Sequence, residues 1–473
     1  MIKIIRKTFQ ILELIRLKPF DCTTEEGRSK ERYRRVAMTA LASAFAKGVS
    51  MLTVIISVPL TLHYLGSERY GLWMTISSLI AMLSFADLGL GNGLLNVISD
   101  AKGRDNKEDA ISGVSSTFFM LTCIALIIGL FFSIAYSFIP WPQVYNLSSP
   151  TAIGEAGPAT TVFILCFFLN LPLGIVPRIQ LGYQEGFNNG IWRAFGSLLG
   201  LFSVLFVIYL KAGLPWLVLA MSGSGTFALL FNGIALFYKR PYLIPRFNKV
   251  KYSTGLKILK TGLLFFTLQL AVSVAYTSDN IVAAQILGPD AVAQYSIPFK
   301  MFSIVSMVLS MFLSPLWPAY GESIARGDTM WVRNTLVKSI KISLLFTIPA
   351  GLILTAFGLP IIHLWTGPQI NPPISLLIGL AVWTIIGTCG NALSMFLNGA
   401  NVIRFQVITA VLMACSALAL KILLAKSFGV SGIIWGTVIA YTIFSIIPYI
   451  FIVPYVLDKF KNQIKSGIET RKA

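Results

Sequence analysis

Twelve long apolar segments in series are the feature that most limits what this chain can fold into. Each is long enough to cross the core of a bilayer as a helix, which takes about 20 residues. They lie at 37–62, 71–97, 110–139, 158–182, 188–210, 214–238, 258–287, 291–318, 336–364, 373–397, 403–425 and 430–456. Only 12% of the residues are charged, whereas soluble proteins have about 25%. The sequence therefore predicts an all-α integral membrane protein with twelve transmembrane helices.

The distribution of Lys and Arg predicts the orientation of these helices. Of 38 such residues, 32 lie in tails and loops on the side of the N-terminus, and three lie on the opposite side. Because positive residues remain in the cytoplasm, we expect both termini there, in a multi-pass protein of the cytoplasmic (inner) membrane. The net charge of +19 is then explained by topology and by attraction to anionic lipid, and no nucleic-acid partner is expected.

The chain divides into two halves with six predicted spans each. The predicted segments are a basic cytoplasmic tail (1–36), an N-terminal lobe (37–238), a basic cytoplasmic linker (239–257), a C-terminal lobe (258–457) and a basic cytoplasmic tail (458–473). Within the first tail, residues 2–17 have apolar residues at spacings of three or four. This pattern fits either an amphipathic helix on the membrane surface or a loosely ordered tail.

Sequence echoes indicate that the two lobes are an internal repeat. Leu65-Gly66 and Leu287-Gly288 follow the first span of each half and lie 222 residues apart. Because six is an even number of spans, both halves have the same orientation, and the repeat is parallel, with its axis along the membrane normal. Two such lobes suggest a transporter that works by alternating access.

Lys47, Asp87, Asp279 and Lys300 lie well inside predicted spans, where each charge needs a partner or water. Lys47 and Asp87 lie about 20 residues on either side of the first turn, and therefore at similar depth, since a helix rises about 1.5 Å per residue. Asp279 and Lys300 flank the seventh-to-eighth turn in the same way. Equal depth makes Lys47–Asp87 and Asp279–Lys300 candidate pairs, although it does not prove contact, and the same residues are candidates for substrate binding.

Polar residues recur on one face of the first helix of each half. The first helix has Ser43, Ser50 and Ser57 with Lys47, and the seventh has Gln269, Ser273 and Asn280 beside Asp279. These stripes fit either a hydrated central cavity or polar packing between helices.

Three further basic residues lie near the ends of spans. Arg178 and Arg193 flank the fourth-to-fifth turn, where they either bind a phosphate or anchor the helix ends. Lys421 lies close enough to a helix end for its ammonium to reach the interface.

Enzymatic and metal-binding signatures are absent from the sequence. It has no GxxxxGK[ST] phosphate-binding loop, no GxSxG or HExxH motif and no paired cysteines, so we expect no enzyme activity, no metal and no cofactor.

The first two spans carry a resemblance to a known family. The segments Ala44-Phe45-Ala46-Lys47-Gly48, Val58-Pro59-Leu60, Tyr64-Leu65-Gly66-Ser67-Glu68-Arg69-Tyr70-Gly71-Leu72-Trp73 and Ala86-Asp87-Leu88-Gly89-Leu90-Gly91-Asn92-Gly93 resemble those of Wzx-type polysaccharide-export flippases. These flippases share a superfamily with the MATE antiporters and the lipid II flippases. The resemblance covers roughly residues 35–457 and is most specific from Pro59 to Gly93.

The resemblance implies a two-lobed protein that moves an undecaprenyl-pyrophosphate-linked oligosaccharide for O-antigen or another surface polysaccharide. A pyrophosphate is anionic, so the expected binding residues are Lys47, Lys300, Arg178 and Arg193, with Asp87 and Asp279 in charge pairing or ion coupling. Membrane lipid, a polysaccharide polymerase and the chain-length machinery are the expected partners. The main alternative is a MATE-like exporter of drugs or metabolites coupled to H⁺ or Na⁺; a non-transporting scaffold is a third.

Overall fold

Helices make up the regular structure in all described parts of the chain. The computed structural model describes residues 18–21, 23–83, 85–145, 147–366 and 370–472. The proposed amphipathic segment 2–17 lies outside these ranges. We number the main helices in chain order: α1 Glu25–Leu83, α2 Leu90–Gly103, α3 Lys107–Ala135, α4 Pro150–Leu173, α5 Ile175–Gly182, α6 Gly186–Tyr209, α7 Leu214–Lys239, α8 Tyr252–Leu287, α9 Pro289–Leu313, α10 Leu316–Arg326, α11 Thr329–Thr366, α12 Ile374–Gly399, α13 Ile403–Phe428 and α14 from Val430 to Lys472. Within the described residues, 11 helical stretches are long and apolar enough to cross a membrane.

The second predicted span accounts for the difference between twelve and eleven, because it is not one continuous helix. Its first part is the end of α1 and its second part is α2; the connecting turn holds Asp87, Leu88 and Gly89. Leu88 (φ 49°) and Gly89 (φ 71°) are both in the left-handed region, which an α-helix cannot continue through. Gly262 of α8 packs against this turn, and a Cβ there would lie 3.1 Å from the Leu88 carbonyl oxygen. An apolar sequence alone did not reveal this break.

The chain forms two compact units, one up to Leu263 and one from Leu264. The main core of the first unit includes Leu90, Leu94, Val114 and Ile179, from α2, α3 and α5. The main core of the second includes residues of α8, α9, α12, α13 and α14: Ala283, Phe302, Leu377, Ala425 and Ile434.

The segment before α8 is attached to the first unit. It contains two short 3₁₀ turns, Pro241–Leu243 and Phe247–Lys249, and α8 begins at Tyr252, inside the predicted linker 239–257. Leu243 is fully buried, and the Arg246 amide donates to the Ser115 hydroxyl at 3.2 Å. Only the part before Tyr252 is therefore irregular.

The two glycines of the proposed repeat adopt the same backbone conformation. Gly66, where α1 is kinked, has φ 75° and ψ 171°, and Gly288, between α8 and α9, has φ 95° and ψ 169°. A side chain is disfavoured in this region, which explains glycine at both turns. The shared geometry supports duplication, while the arrangement of the lobes as a parallel repeat stays a prediction.

Glycines allow close helix packing inside each unit. In the first unit, a Cβ on Gly190 of α6 would lie 2.8 Å from the backbone carbon of Ala42. In the second, a Cβ on Gly436 of α14 would lie 2.8 Å from the Lys421 amide nitrogen. Each glycine ends a Gly-xxx-Gly pattern, at 186–190 and 432–436, which brings helix backbones together in membranes.

Candidate functional site

The break in the second span brings two charged side chains together in the first unit. The Asp87 carboxylate accepts the Gly89 amide at 2.9 Å, which stabilises the turn before α2. A Cβ on Gly91 would lie 3.2 Å from Asp87 Oδ2 and 3.0 Å from Arg178 Nε, so both side chains converge over Gly91. Arg178 lies on α5, which follows Gly174.

The predicted pair of Lys47 and Asp87 is wrong. Lys47 is exposed on α1 and forms none of the ion pairs found among the described residues, whereas Asp87 faces Arg178. The two residues match in depth, but depth leaves open the direction in which each side chain points. Lys47 keeps its predicted role in substrate binding as an untested expectation.

Arg193 lies in a different environment from Arg178. It is exposed and lines a pocket of about 410 Å³ in the first unit, together with Pro177, Asn189, Ser197 and Asn232. Asn232 is already held by Gln180, whose amide oxygen accepts from its Nδ2 at 3.2 Å. The pocket therefore combines the exposed Arg193 guanidinium with polar groups, an arrangement that suits an anion. Arg178 faces Asp87 instead, so the two arginines do not share a site.

The second unit contains a buried ion pair that the sequence analysis did not predict. The carboxylate of Asp279 on α8 contacts the ammonium of Lys421 on α13, and the Tyr295 hydroxyl of α9 donates to Asp279 Oδ2 at 2.5 Å. Asp279 is 3% exposed and Lys421 0%. The predicted pair of Asp279 and Lys300 is therefore wrong: Lys300 is exposed and has no ion pair within the described part of the chain.

The prediction that the Lys421 ammonium reaches the interface is also wrong. Lys421 is close to a helix end in sequence, but in the fold its ammonium contacts the carboxylate of Asp279, 142 residues earlier in the chain. A carboxylate buried without a partner is strongly destabilising, and the Lys421 ammonium supplies the partner of Asp279.

The second unit also has a cavity of about 240 Å³, mainly apolar with several hydroxyl and amide groups in its lining, that sequence reasoning missed. Its polar lining includes Ser303 and Ser306 of α9 and Thr384, Thr388 and Asn391 of α12. Their spacings of three and four residues on otherwise apolar helices are a signal that could have revealed the cavity. Tyr276 of α8 also lines this cavity.

The polar residues predicted to line a cavity differ in how far they are buried. Ser57 is buried, which favours polar packing between helices at this position, and its main-chain carbonyl oxygen accepts the Thr61 hydroxyl of the same helix at 2.8 Å. Ser43 and Ser50 are half-buried. On α8, Gln269 and Ser273 are half-buried and Asn280 is exposed. Their role as cavity-lining residues stays a prediction.

Glu185 and Arg240 form an ion pair in the first unit, near the start of α1 and the segment that precedes α8. Arg240 donates to Glu185 at 2.8 and 3.0 Å, and its guanidinium lies 4.3 Å from the centre of the Tyr183 ring. Arg35 of α1 donates to the Tyr183 carbonyl oxygen at 2.9 Å. Burial by itself raises the pKa of Glu185, but the hydrogen bonds and charge of Arg240 outweigh this effect and hold the pKa below its ordinary value.

Comparisons with known proteins extend over most of the chain. Residues 36–324 match the model of a family described as "Polysaccharide biosynthesis protein", and residues 266–426 match that of the MatE family. The chain is 22% identical over 409 residues to a putative O-antigen transporter of Salmonella typhimurium, covering 84% of this chain and 92% of the relative. It is 23% identical over 421 residues to a putative O-antigen export protein of Yersinia pseudotuberculosis, covering 86% and 94%.

A solved structure shows the same fold. A crystal structure of MATE in the bent conformation superposes with a TM-score of 0.78 at 17% identity, covering 91% of this chain and 97% of the other. The apolar helices and the relatives named as O-antigen transporters or export proteins define a multi-pass membrane protein of the transporter class. Within that class, the chain belongs to the polysaccharide biosynthesis protein family, as the resemblance to Wzx-type flippases indicated.

Proposed function

We propose that this protein flips undecaprenyl-pyrophosphate-linked oligosaccharide repeat units from the inner to the outer leaflet of the cytoplasmic membrane, by alternating access. The observation that carries the proposal is the similarity, over more than four fifths of the chain, to relatives named as O-antigen transporters or export proteins. The family match from 36 to 324 supports the same role in the biosynthesis of a surface polysaccharide. The distribution of Lys and Arg supports cytoplasmic termini.

The charges suit an anionic headgroup. Lys47, Arg193 and Lys300 are exposed and lack a carboxylate partner among the described residues, so their charges are free to meet a pyrophosphate. Arg178 differs, because Asp87 partly compensates its charge. In this proposal Lys47 contacts the pyrophosphate in the inward state, Lys300 contacts it in the outward state, and Asp87 tunes Arg178. The lipid tail stays in the bilayer.

The proposal includes partners and energy coupling. A polymerase and the chain-length machinery would take up the flipped unit on the outer side. The cycle is coupled to H⁺ or Na⁺, or is driven by consumption of the product.

The test is deletion of the gene, followed by extraction of lipid-linked oligosaccharides and of surface polysaccharide. We expect loss of the polymer and accumulation of complete lipid-linked units in the inner leaflet. The Lys47→Ala variant, expressed in the deletion strain at normal membrane levels, should not restore polysaccharide export, because the pyrophosphate headgroup loses its cationic contact. Lys426→Ala, which removes another exposed lysine, is the matched control and should restore export. Normal export with Lys47→Ala would remove Lys47 from the site.

A second candidate is a cation-coupled, MATE-like exporter, favoured by the shared fold with MATE structures. The exposed lysines oppose it, because they repel cationic drugs. Normal polymer and normal lipid-linked pools in the deletion strain, together with new sensitivity to cationic drugs, would establish this candidate instead.

A further inference from the structure

The ammonium of Lys421 lies against oxygen atoms from one turn of α8. It contacts the Asp279 carboxylate and the main-chain carbonyl oxygen of Ala275, and it lies 3.3 Å from the Ser278 hydroxyl oxygen. Residues 275, 278 and 279 are spaced three and four apart, so they lie on one face of the helix. The result is a small group of oxygen ligands that converge on a positive charge.

Neighbouring helices fix both members of the pair. Tyr295 is 1% exposed and binds the second carboxylate oxygen of Asp279, which limits rotation of the carboxylate. On the other side, Gly436 allows α14 to pack directly against the backbone at Lys421. The Lys421 side chain is fully buried, and the Tyr295 hydroxyl holds the orientation of the Asp279 carboxylate.

Carboxylate, carbonyl and hydroxyl oxygens are the ligands that hard cations prefer. We propose that Lys421 is a tethered cation that fills a site whose oxygen ligands suit a small monovalent cation such as Na⁺. The C-terminal unit consequently takes up no diffusible cation at Asp279, and a Na⁺-coupled step does not use this carboxylate. This inference concerns the ion and not the substrate, so it stands or falls separately from the proposed function.

The physical reason is charge compensation inside the unit. A buried carboxylate without a partner is strongly destabilising, and either an ammonium or a metal ion can compensate it. If the ammonium is removed while the carboxylate stays, the oxygen ligands and the negative charge remain. The vacated volume is then available to a cation from solution.

The experiment uses the full-length protein in nanodiscs and follows thermal unfolding in NaCl or in N-methylglucamine chloride at equal ionic strength. For the unchanged protein we expect no Na⁺-dependent change in Tm that Asp279→Asn abolishes. For Lys421→Ala we expect a lower Tm in N-methylglucamine chloride and a saturable increase of at least about 5 °C with Na⁺. Lys421→Ala combined with Asp279→Asn is the matched control and should show no Na⁺ effect.

A second measurement tests the shape of the site. Propylammonium has the atoms that Lys421→Ala deletes, so it should raise the Tm of this variant, whereas 1-propanol should not. Absence of any cation-specific increase in Lys421→Ala, or a saturable Na⁺ effect in the unchanged protein that Asp279→Asn abolishes, would overturn the proposal. If Lys421→Ala fails to accumulate in membranes, recovery of its level by the added Asp279→Asn supports an uncompensated carboxylate as the cause. Continued loss shows that Lys421 acts through packing alone and refutes the proposal.

Discussion

The contact between Glu185 and Arg240 allows a quantitative test of the structure. It joins the turn before α6 to the first residue after α7, through hydrogen bonds of 2.8 and 3.0 Å. The two side chains are 11% and 16% exposed. The perturbation is a double-mutant cycle with Glu185→Gln, Arg240→Gln and both changes together.

The burial of the pair sets the expected magnitude. A hydrogen bond to a charged group contributes about 1.5–3 kcal/mol, and an exposed ion pair about 0.2–1 kcal/mol. Since this pair is mostly buried, we expect a coupling energy of about 2 kcal/mol. The matched control is Asp100–Arg104, a pair at 3.1 Å whose side chains are 38% and 64% exposed. There the coupling energy should stay below about 0.5 kcal/mol.

The same pair makes a prediction about pH. Burial raises the pKa of Glu185. The hydrogen bonds and the charge of Arg240 lower the pKa by more than burial raises it, so the folded-state pKa lies below the ordinary value of 4.5. The stabilisation is therefore fully present above the unfolded-state pKa and is lost as the pH falls through the lower folded-state pKa. Glu185→Gln should remove this acid-sensitive part of the stability.

The assay is the free energy of unfolding in mixed micelles, measured by denaturing-detergent titration with tryptophan fluorescence at pH 7 and at pH 4. A coupling energy equal to that of the exposed control would refute the reasoning. So would a difference in unfolding free energy between the Glu185→Gln variant and the unchanged protein that is the same at pH 4 as at pH 7.

Two further predictions concern glycines. Gly190→Ala should lower the free energy of unfolding by about 1–3 kcal/mol, because the new Cβ would lie 2.8 Å from the Ala42 backbone. In the same titration the control Gly225→Ala should be neutral or stabilising, because the space around its Cβ is open. Gly91→Ala should displace Arg178 from Asp87, since its Cβ would lie 3.0 Å from the arginine Nε; we expect reduced export of surface polymer at an unchanged membrane level, and full export would argue against a role for this pair.

Several features followed from the sequence alone because they depend on local chemistry. Apolar runs of about 20 residues predict spanning helices wherever the chain places them. Gly66 and Gly288 marked turns because only glycine adopts their backbone conformation without strain. The residues from Pro59 to Gly93 pointed to the family that the comparison confirmed.

The partners of the embedded charges were decided by tertiary structure alone. Equal depth suggested Lys300 for Asp279, but depth fixes only one coordinate, and rotation about the helix axis decides which residues meet. That rotation is set by packing, as where Gly436 brings α14 against α13 and Lys421 meets Asp279. At the break beside Asp87, Gly262 of another helix likewise packs against the turn. The sequence therefore determined which segments are helices and which charges they carry, and tertiary packing determined which of those charges meet.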